Sequence, residues 1–331
     1  MTVLVAGGCG YIGSHVTRLL LEAGHNVALV DDLSSGDVCR HPQAPLLQTN
    51  VANPDNAGAI ADFAKQHDVD SIIHFAAKKK APESIERPAW YYSQNVGGLA
   101  TIIEAAELAG ITKLIFSSSA AVYGDVTVNP VPEDLACEPI NPYGETKLVG
   151  EQLVRAAQKA GVLRGISLRY FNVAGNLAPE LAEREALNLI PMAIEKVQAG
   201  QAPIIFGNDY PTADGTCVRD FIHVADLAAA HIAALEALAE GLNTHDVYNV
   251  GTGTGYSVSE VMTEVNALAD TPLSPIIQGR RAGDPAEVVG DVTRIQSDLD
   301  WQATRTLPDM IRSTWDAWLQ FSAEARTTDT H

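Results

Sequence analysis

Along the first half of the chain, short runs dominated by apolar and β-branched residues alternate with longer stretches whose apolar positions recur at three- and four-residue spacing. The short runs fall at residues 3–6, 26–30, 71–75, 114–116 and 165–169, and their length and composition predict buried strands. Between them, residues 12–22, 96–108 and 143–158 carry the periodicity of amphipathic helices. Regular alternation of strand and helix predicts an α/β fold, a doubly wound parallel sheet covered by helices on both faces.

After about residue 172 the pattern loosens. Residues 176–185 are charged and irregular, and residues 206–215 are rich in turn formers. A helical stretch near 225–238 and a strand-like run at 247–250 follow. This predicts a first domain over 1–172 and a smaller α/β domain over 173–331, with elements around 219–252 returning to the first sheet. Neither repeat nor linker separates the two.

Composition narrows the class. With 331 residues and 46% apolar content the chain can bury a large core, and it has no apolar run of 18 residues to cross a membrane. The amino-terminal apolar run ends in glycines, so it reads as a first strand and not a signal peptide. Four widely spaced cysteines, without a Cys-x-x-Cys pair, indicate neither a disulfide framework nor a zinc site and suit a reducing cytoplasm. The nine histidines show no metal spacing, so no metal is expected. A net charge of −19 argues against nucleic acid as a partner. It does not exclude a small anion held by a local glycine loop.

Such a loop follows the first strand. Gly7-Gly8-Cys9-Gly10-Tyr11-Ile12-Gly13 satisfies both Gly-x-Gly-x-x-Gly, through Gly8, Gly10 and Gly13, and the wider Gly-x-x-Gly-x-x-Gly spacing built on Gly7, Gly10 and Gly13. A glycine triplet alone is weak; between a strand and a helix it is a dinucleotide fingerprint, with the helix N-terminus facing the pyrophosphate. Asp31 ends the second run eighteen residues past Gly13. A carboxylate there accepts from the adenosine ribose and repels a 2′-phosphate, favouring NAD over NADP, and Asp32 can share the role.

Candidate chemistry sits at Tyr143-Gly144-Glu145-Thr146-Lys147. Four-residue spacing puts Tyr143 and Lys147 on one helix face, where an ammonium would lower the phenol's pKa towards neutrality. Tyr-x-x-x-Lys pairs also arise on exposed helices without catalytic meaning. What singles this one out is Ser117-Ser118-Ser119 at the carboxyl end of a predicted strand, where doubly wound sheets place their ligands. Ser119 is the hydroxyl chosen to face substrate; Ser117 and Ser118 are read as supporting.

Together these residues resemble an extended short-chain dehydrogenase with a Rossmann-type sheet, and more narrowly the UDP-glucose 4-epimerases. The resemblance runs almost end to end. It includes residues 74–77, Glu83-Ser84 leading to Tyr91-Tyr92 and Asn95, residues 117–124, and 168–172. Residues 206–210 (FGNDY) and 214–226 are its most distinctive blocks. It implies an isomerase in which Tyr143 takes the 4-OH proton while hydride passes from C4 to NAD. The 4-keto sugar then turns and is reduced on its other face, interconverting UDP-galactose and UDP-glucose. By the same matching, Gly7, Gly10, Tyr11, Ile12, Gly13, Asp31, Asp32, Asn50, Val51, Phe75, Ala76, Ala77, Lys79, Asn95, Tyr143, Lys147 and Tyr170 would hold NAD. Ser119, Tyr143, Asn172, Asn188, Leu189, Phe206, Arg219, Arg281, Asp284 and Val288 would meet the UDP-sugar. Plainer roles exist for some: Arg219 can pair with Asp220, Asn172 can be a turn residue, and Phe206 can be core. A homodimer through the helices near 96–108 and 148–158 is also implied.

Departures from the family pattern matter too. Asn50 stands where an acid is common, residues 78–80 are three lysines, and 176–185 lack a longer glycine-rich insertion. Ala120 and Ala121 occupy the places where the related dehydratases carry proton-transferring acids, which argues against dehydration. Val288, four residues after Asp284, is small where a tyrosine would exclude an N-acetyl group, so the N-acetylhexosamine pair is expected as a second substrate.

Overall fold

The computed structural model describes residues 1–328 except 38, 39, 184, 185, 187 and 282, with side chains described to residue 320. Its strands are β1 (Thr2–Ala6), β2 (Asn26–Asp31), β3 (Leu46–Gln48), β4 (Ser71–His74), β5 (Lys113–Ser117), β6 (Arg164–Tyr170), β7 (Asn172–Ala174), β8 (Ile204–Phe206), β9 (Val218–His223), β10 (Val247–Val250), β11 (Gly255–Ser257), β12 (Ile276–Gln278) and β13 (Glu287–Val288). The helices are α1 (Tyr11–Glu22), α2 (Ala57–Gln66), α3 (Ala81–Glu86), α4 (Pro88–Tyr92), α5 (Gly98–Ala109), α6 (Pro142–Lys159), α7 (Leu189–Gln198), α8 (Val224–Ala239), α9 (Val258–Ala267), α10 (Thr293–Leu299) and α11 (Leu307–Thr328). None of the described helices is long and apolar enough to cross a membrane.

Seven parallel strands form the main sheet in the order β10-β6-β5-β4-β1-β2-β3. The order reverses between β1 and β4, and a doubly wound sheet opens its ligand crevice at that switch point. Because β1, β4 and β5 are buried on both faces, their residues feed two cores. Val3, Val5 and Ile73 pack with Leu20, Leu227 and Leu235 from α1 and α8. Leu4, Ile72 and Leu114 pack with Ile60, Ile102 and Val154 from α2, α5 and α6. Sequence pattern alone marks these runs as buried; the pairing assigns each alternate residue to a face.

Of residues 219–252, α8 covers one face of the main sheet and β10 extends its edge, whereas β9 lies in a smaller sheet. There β9 pairs antiparallel with β11 and parallel with β7 and β13. A third core, with Ile194, Phe221, Val261 and Ile311, joins β9 to α7, α9 and α11.

Candidate active site

The nucleotide end of the site begins where β1 runs out. Gly7 N–H donates to the Val30 carbonyl at 2.7 Å and Gly10 N–H to the Gly7 carbonyl at 3.2 Å, curling the loop under the start of α1. Gly7 has φ +82°, and a Cβ there would lie 2.7 Å from the Ala76 nitrogen; one on Gly13 would lie 2.1 Å from the Gly7 oxygen. Only glycine fits this cradle. Gly10 caps α1 without a side-chain hydrogen bond, and no acid stands in the first turn, so the first N–H groups remain directed at a ligand. These features fit a dinucleotide pyrophosphate.

Asp31 is 7% exposed at the end of β2. Its two oxygens accept from Cys9 N–H at 2.9 Å and Leu33 N–H at 2.8 Å, tying the acid to the glycine loop. Burial raises its pKa and the two N–H bonds oppose that. Each oxygen keeps a further lone pair for a ribose hydroxyl.

The catalytic end is built by β5 and α6. Three adjacent serines leave β5 in three directions. Ser117 Oγ donates to Tyr170 Oη at 3.0 Å, and Ser118 Oγ donates to Glu151 Oε1 at 2.6 Å. Ser119 is the serine that acts on the Tyr143 phenol, favouring its ionised form, while accepting from Ala121 N–H at 3.2 Å. Gly144 makes this meeting feasible, since a Cβ there would lie 2.5 Å from the Ala121 oxygen. Asn141 caps α6 by accepting from Gly144 N–H at 3.0 Å, which fixes Tyr143 in the first turn.

Lys147 is 3% exposed. Its Nζ donates to the Ser117 carbonyl at 2.7 Å and stands 5.9 Å from the centre of the Tyr143 ring. Burial lowers its pKa to about 8, with Glu151 opposing. The sequence predicts that Lys147 depresses the Tyr143 pKa. Instead burial raises it, and the group that opposes burial is Ser119. The Lys147 ammonium, itself desolvated and 5.9 Å from the ring centre, does not offset that burial.

A cleft of about 480 Å³ runs from Asp31 to Tyr143. Of the residues predicted to hold NAD, all line it except Asn95. Asn95 is buried beneath: its amide accepts from Lys78 N–H at 2.7 Å and donates to the Lys78 carbonyl and Thr146 Oγ1, both at 3.0 Å. It shapes the loop after β4 rather than the cleft wall. Sequence reasoning missed other lining residues, among them Ser34, Arg40, Lys78, Trp90 and Glu183. Ser34 and Lys78 carried a local signal, next to Asp31 and within the lysine run. Glu183 carried none; it arrives from the irregular segment to pair with Lys79.

Five residues predicted to meet substrate gather beyond this cleft. Phe206 ends β8 under the Arg281 guanidinium, 3.9 Å from its ring centre. Arg219 on β9 lies opposite Val288 on β13 and approaches Asp284 at 3.6 Å. Asp220 is not its partner, being buried and accepting from Thr252, Gly253 and Gly290. Val288 packs against the cluster of Val122, Tyr123 and Phe171, just behind the Ser119 turn. Asn172 opens β7 and is exposed, whereas Asn188 and Leu189 start α7. Asn188 lines a second, small hollow with Tyr11, Gly175 and Glu183.

The cleft and the half-buried Tyr143 meet at the carboxyl edge of one parallel sheet, the arrangement of a nicotinamide-dependent enzyme of the short-chain dehydrogenase class. The chain belongs to the NAD dependent epimerase/dehydratase family, whose model matches residues 3–251. It is 40% identical over 328 residues to a UDP-glucose 4-epimerase of Azospirillum brasilense, covering 97% of this chain and 93% of that protein. A crystal structure of UDP-glucose 4-epimerase from Stenotrophomonas maltophila, with bound NAD and formylated UDP-arabinopyranose, superposes with TM-score 0.93 at 36% identity, covering 98% and 99% of the two chains. The UDP-Glc/GlcNAc 4-epimerase of Campylobacter jejuni gives TM-score 0.84 at 35% identity, covering 96% and 99%.

Proposed function

We propose that this protein is an NAD-dependent isomerase that interconverts UDP-galactose and UDP-glucose. The observation that carries the reading is the half-buried Tyr143 phenol, acted on by Ser119, at the catalytic end of a cleft whose other end holds Asp31 and the glycine cradle. Residues 1–172 bind the cofactor and 173–331 supply most of the sugar-nucleotide contacts.

NAD, which the glycine cradle and Asp31 would hold, would supply the hydride acceptor and donor for the sugar C4. The chain's own residues handle the proton. Tyr143 accepts it as the phenolate from the 4-OH during oxidation and gives it back from the phenol during reduction, while Ser119 hydrogen-bonds the same sugar oxygen. Lys147, fixed by the Ser117 carbonyl, would help hold the nicotinamide ribose. Arg219 and Arg281 offer guanidinium groups to the substrate pyrophosphate. Asn172, Asn188, Leu189, Phe206 and Asp284 complete the contacts.

A dehydratase of the same fold is the alternative. It would need proton-transferring acids after Ser119, and Ala120 and Ala121 stand there. Incubation with UDP-galactose, without added NAD, decides between them. UDP-glucose is the expected product; a 4-keto-6-deoxy product, or none, contradicts the reading.

A homodimer through α5 and α6 belongs to the same proposal. Leu108 on α5 is 51% exposed, and the two helices pack side by side. Light scattering at micromolar concentration is expected to give twice the 35.2 kDa chain mass. A cytoplasmic location is supported by Cys9, Cys137 and Cys217, which are free thiols.

A further inference from the structure

The loop after β4 is held unusually firmly for a surface segment. Asn95 accepts from Lys78 N–H and donates to its carbonyl, and the buried Tyr91 hydroxyl accepts from Lys80 N–H at 3.0 Å and donates to the Lys80 carbonyl at 2.8 Å. From this platform two neighbouring lysines reach to different partners across the cleft. Lys79 pairs with Glu183 beside Tyr11. Lys78 crosses to the loop after β2, where its Nζ donates to Ser34 Oγ at 2.8 Å. Ser34 is itself placed by its N–H, which donates to Asp32 Oδ1 at 2.9 Å. On its other side the Lys78 ammonium stands 5.7 Å from the Trp90 ring, which Arg87 covers from 3.8 Å. Lys78, Ser34 and Trp90 all line the cleft, and the Lys78 charge acts on Asp31.

We propose that Lys78 is a cofactor-positioning residue: bridged to Ser34 and backed by Trp90, it closes the cleft over the adenosine ribose at Asp31 and slows the release of NAD. The proposal rests on reading this cleft as the NAD site. Chemistry makes such a closure tolerable. An epimerase regenerates its NAD in every turnover, so the cofactor never has to leave for catalysis to continue. A bridge across the mouth therefore obstructs nothing that turnover requires. The ammonium also offsets the Asp31 carboxylate at the point where a ribose must approach it.

The test compares purified wild type with Lys78→Met, Ser34→Ala, the double variant and Lys78→Arg. Bound nucleotide is first identified after denaturation. NAD release is then followed by diluting each protein into an NAD-degrading enzyme and sampling UDP-galactose epimerase activity over time. A partly exposed, charge-assisted hydrogen bond predicts release about three- to tenfold faster in Lys78→Met and Ser34→Ala. Both substitutions break the same bridge, so the double variant should release no faster than Lys78→Met. Lys78→Arg, which keeps a cationic donor, should restore slow release, and added NAD should restore activity to Lys78→Met. A loaded wild type with unaltered release from Lys78→Met overturns the closure alone, as do multiplicative effects in the double variant. A wild type that carries no NAD overturns the cofactor reading as well.

Discussion

At Tyr143 two influences compete for one phenol. Burial holds the proton on, and the Ser119 hydroxyl eases its removal. If Tyr143 carries the proton, Tyr143→Phe removes the acceptor without emptying the cleft. Turnover of UDP-galactose should fall about 10²–10⁴-fold while NAD stays bound; wild-type turnover would remove Tyr143 from the mechanism. Ser119→Ala should cost less, because the sugar oxygen loses a hydrogen bond and keeps its base. A second residue-scale prediction concerns Val288. It stands between the Ser119 turn and Arg219, where on the proposed reading its bulk would set what fits beside the sugar. An aromatic ring carries about 150–250 Å² of surface, far more than valine can fill. The wild type should therefore also interconvert UDP-N-acetylglucosamine and UDP-N-acetylgalactosamine. Val288→Tyr should abolish that activity and largely spare UDP-galactose. An unchanged ratio between the two substrates would remove Val288 as the determinant.

One helix connects most of the site. Along α6, Tyr143 faces Ser119, Thr146 accepts from Asn95 beneath the lysine loop, Lys147 reaches the Ser117 carbonyl, and Glu151 takes Ser118. Glu151 is 0% exposed and binds Arg169 through two bonds of 2.8 and 2.7 Å. Arg169 also donates to Tyr123 and to the Glu133 carbonyl, so the pair anchors α6 to β6 and to the loop behind the site. Removing one member of a buried pair strands the other charge. Glu151→Ala should lower stability by about 3–5 kcal/mol, read from urea unfolding followed by circular dichroism. A change below about 1 kcal/mol would show that the pair is solvated. Sequence spacing places Tyr143, Lys147 and Glu151 on one face. It does not reveal that Glu151 is buried, because its partner lies on a different element.

Across the whole molecule, buried neutral histidines set the acid limit. Burial lowers the pKa of His15 and His74 to about 3, and of His223 and His231 to about 4. Unfolded, each returns to about 6.5. Between that value and the folded values the unfolded chain binds more protons, so stability falls as pH falls, by up to about 1.4 kcal/mol per histidine per pH unit. Asp31, Glu133 and Asp220 are shifted upward by burial and act in the opposite sense. The urea midpoint should thus drop steadily from pH 7 to pH 5, and a flat or rising midpoint would contradict it.

What the sequence determined by itself was whatever a contiguous stretch can encode. The glycine loop, Asp31 and the Tyr143/Lys147 pair each need only a strand, a turn and a helix in succession, and period and spacing reveal those directly. A parallel sheet followed from alternation of the same elements, although β3 at its edge carried too short a run to be read. Tertiary structure decided everything that joins distant segments. It sent β10 to the main sheet while β9 joined β7, brought Glu183 to Lys79 over a hundred residues away, and set Phe206, Arg219 and Val288 into one group. It also reversed the expected balance at Tyr143, because burial is a property of the packed interior and not of spacing along a helix. The physical reason is common to all of these. Periodicity records which side chains leave water, whereas their neighbours on arrival are chosen by packing and pairing between elements far apart in the chain.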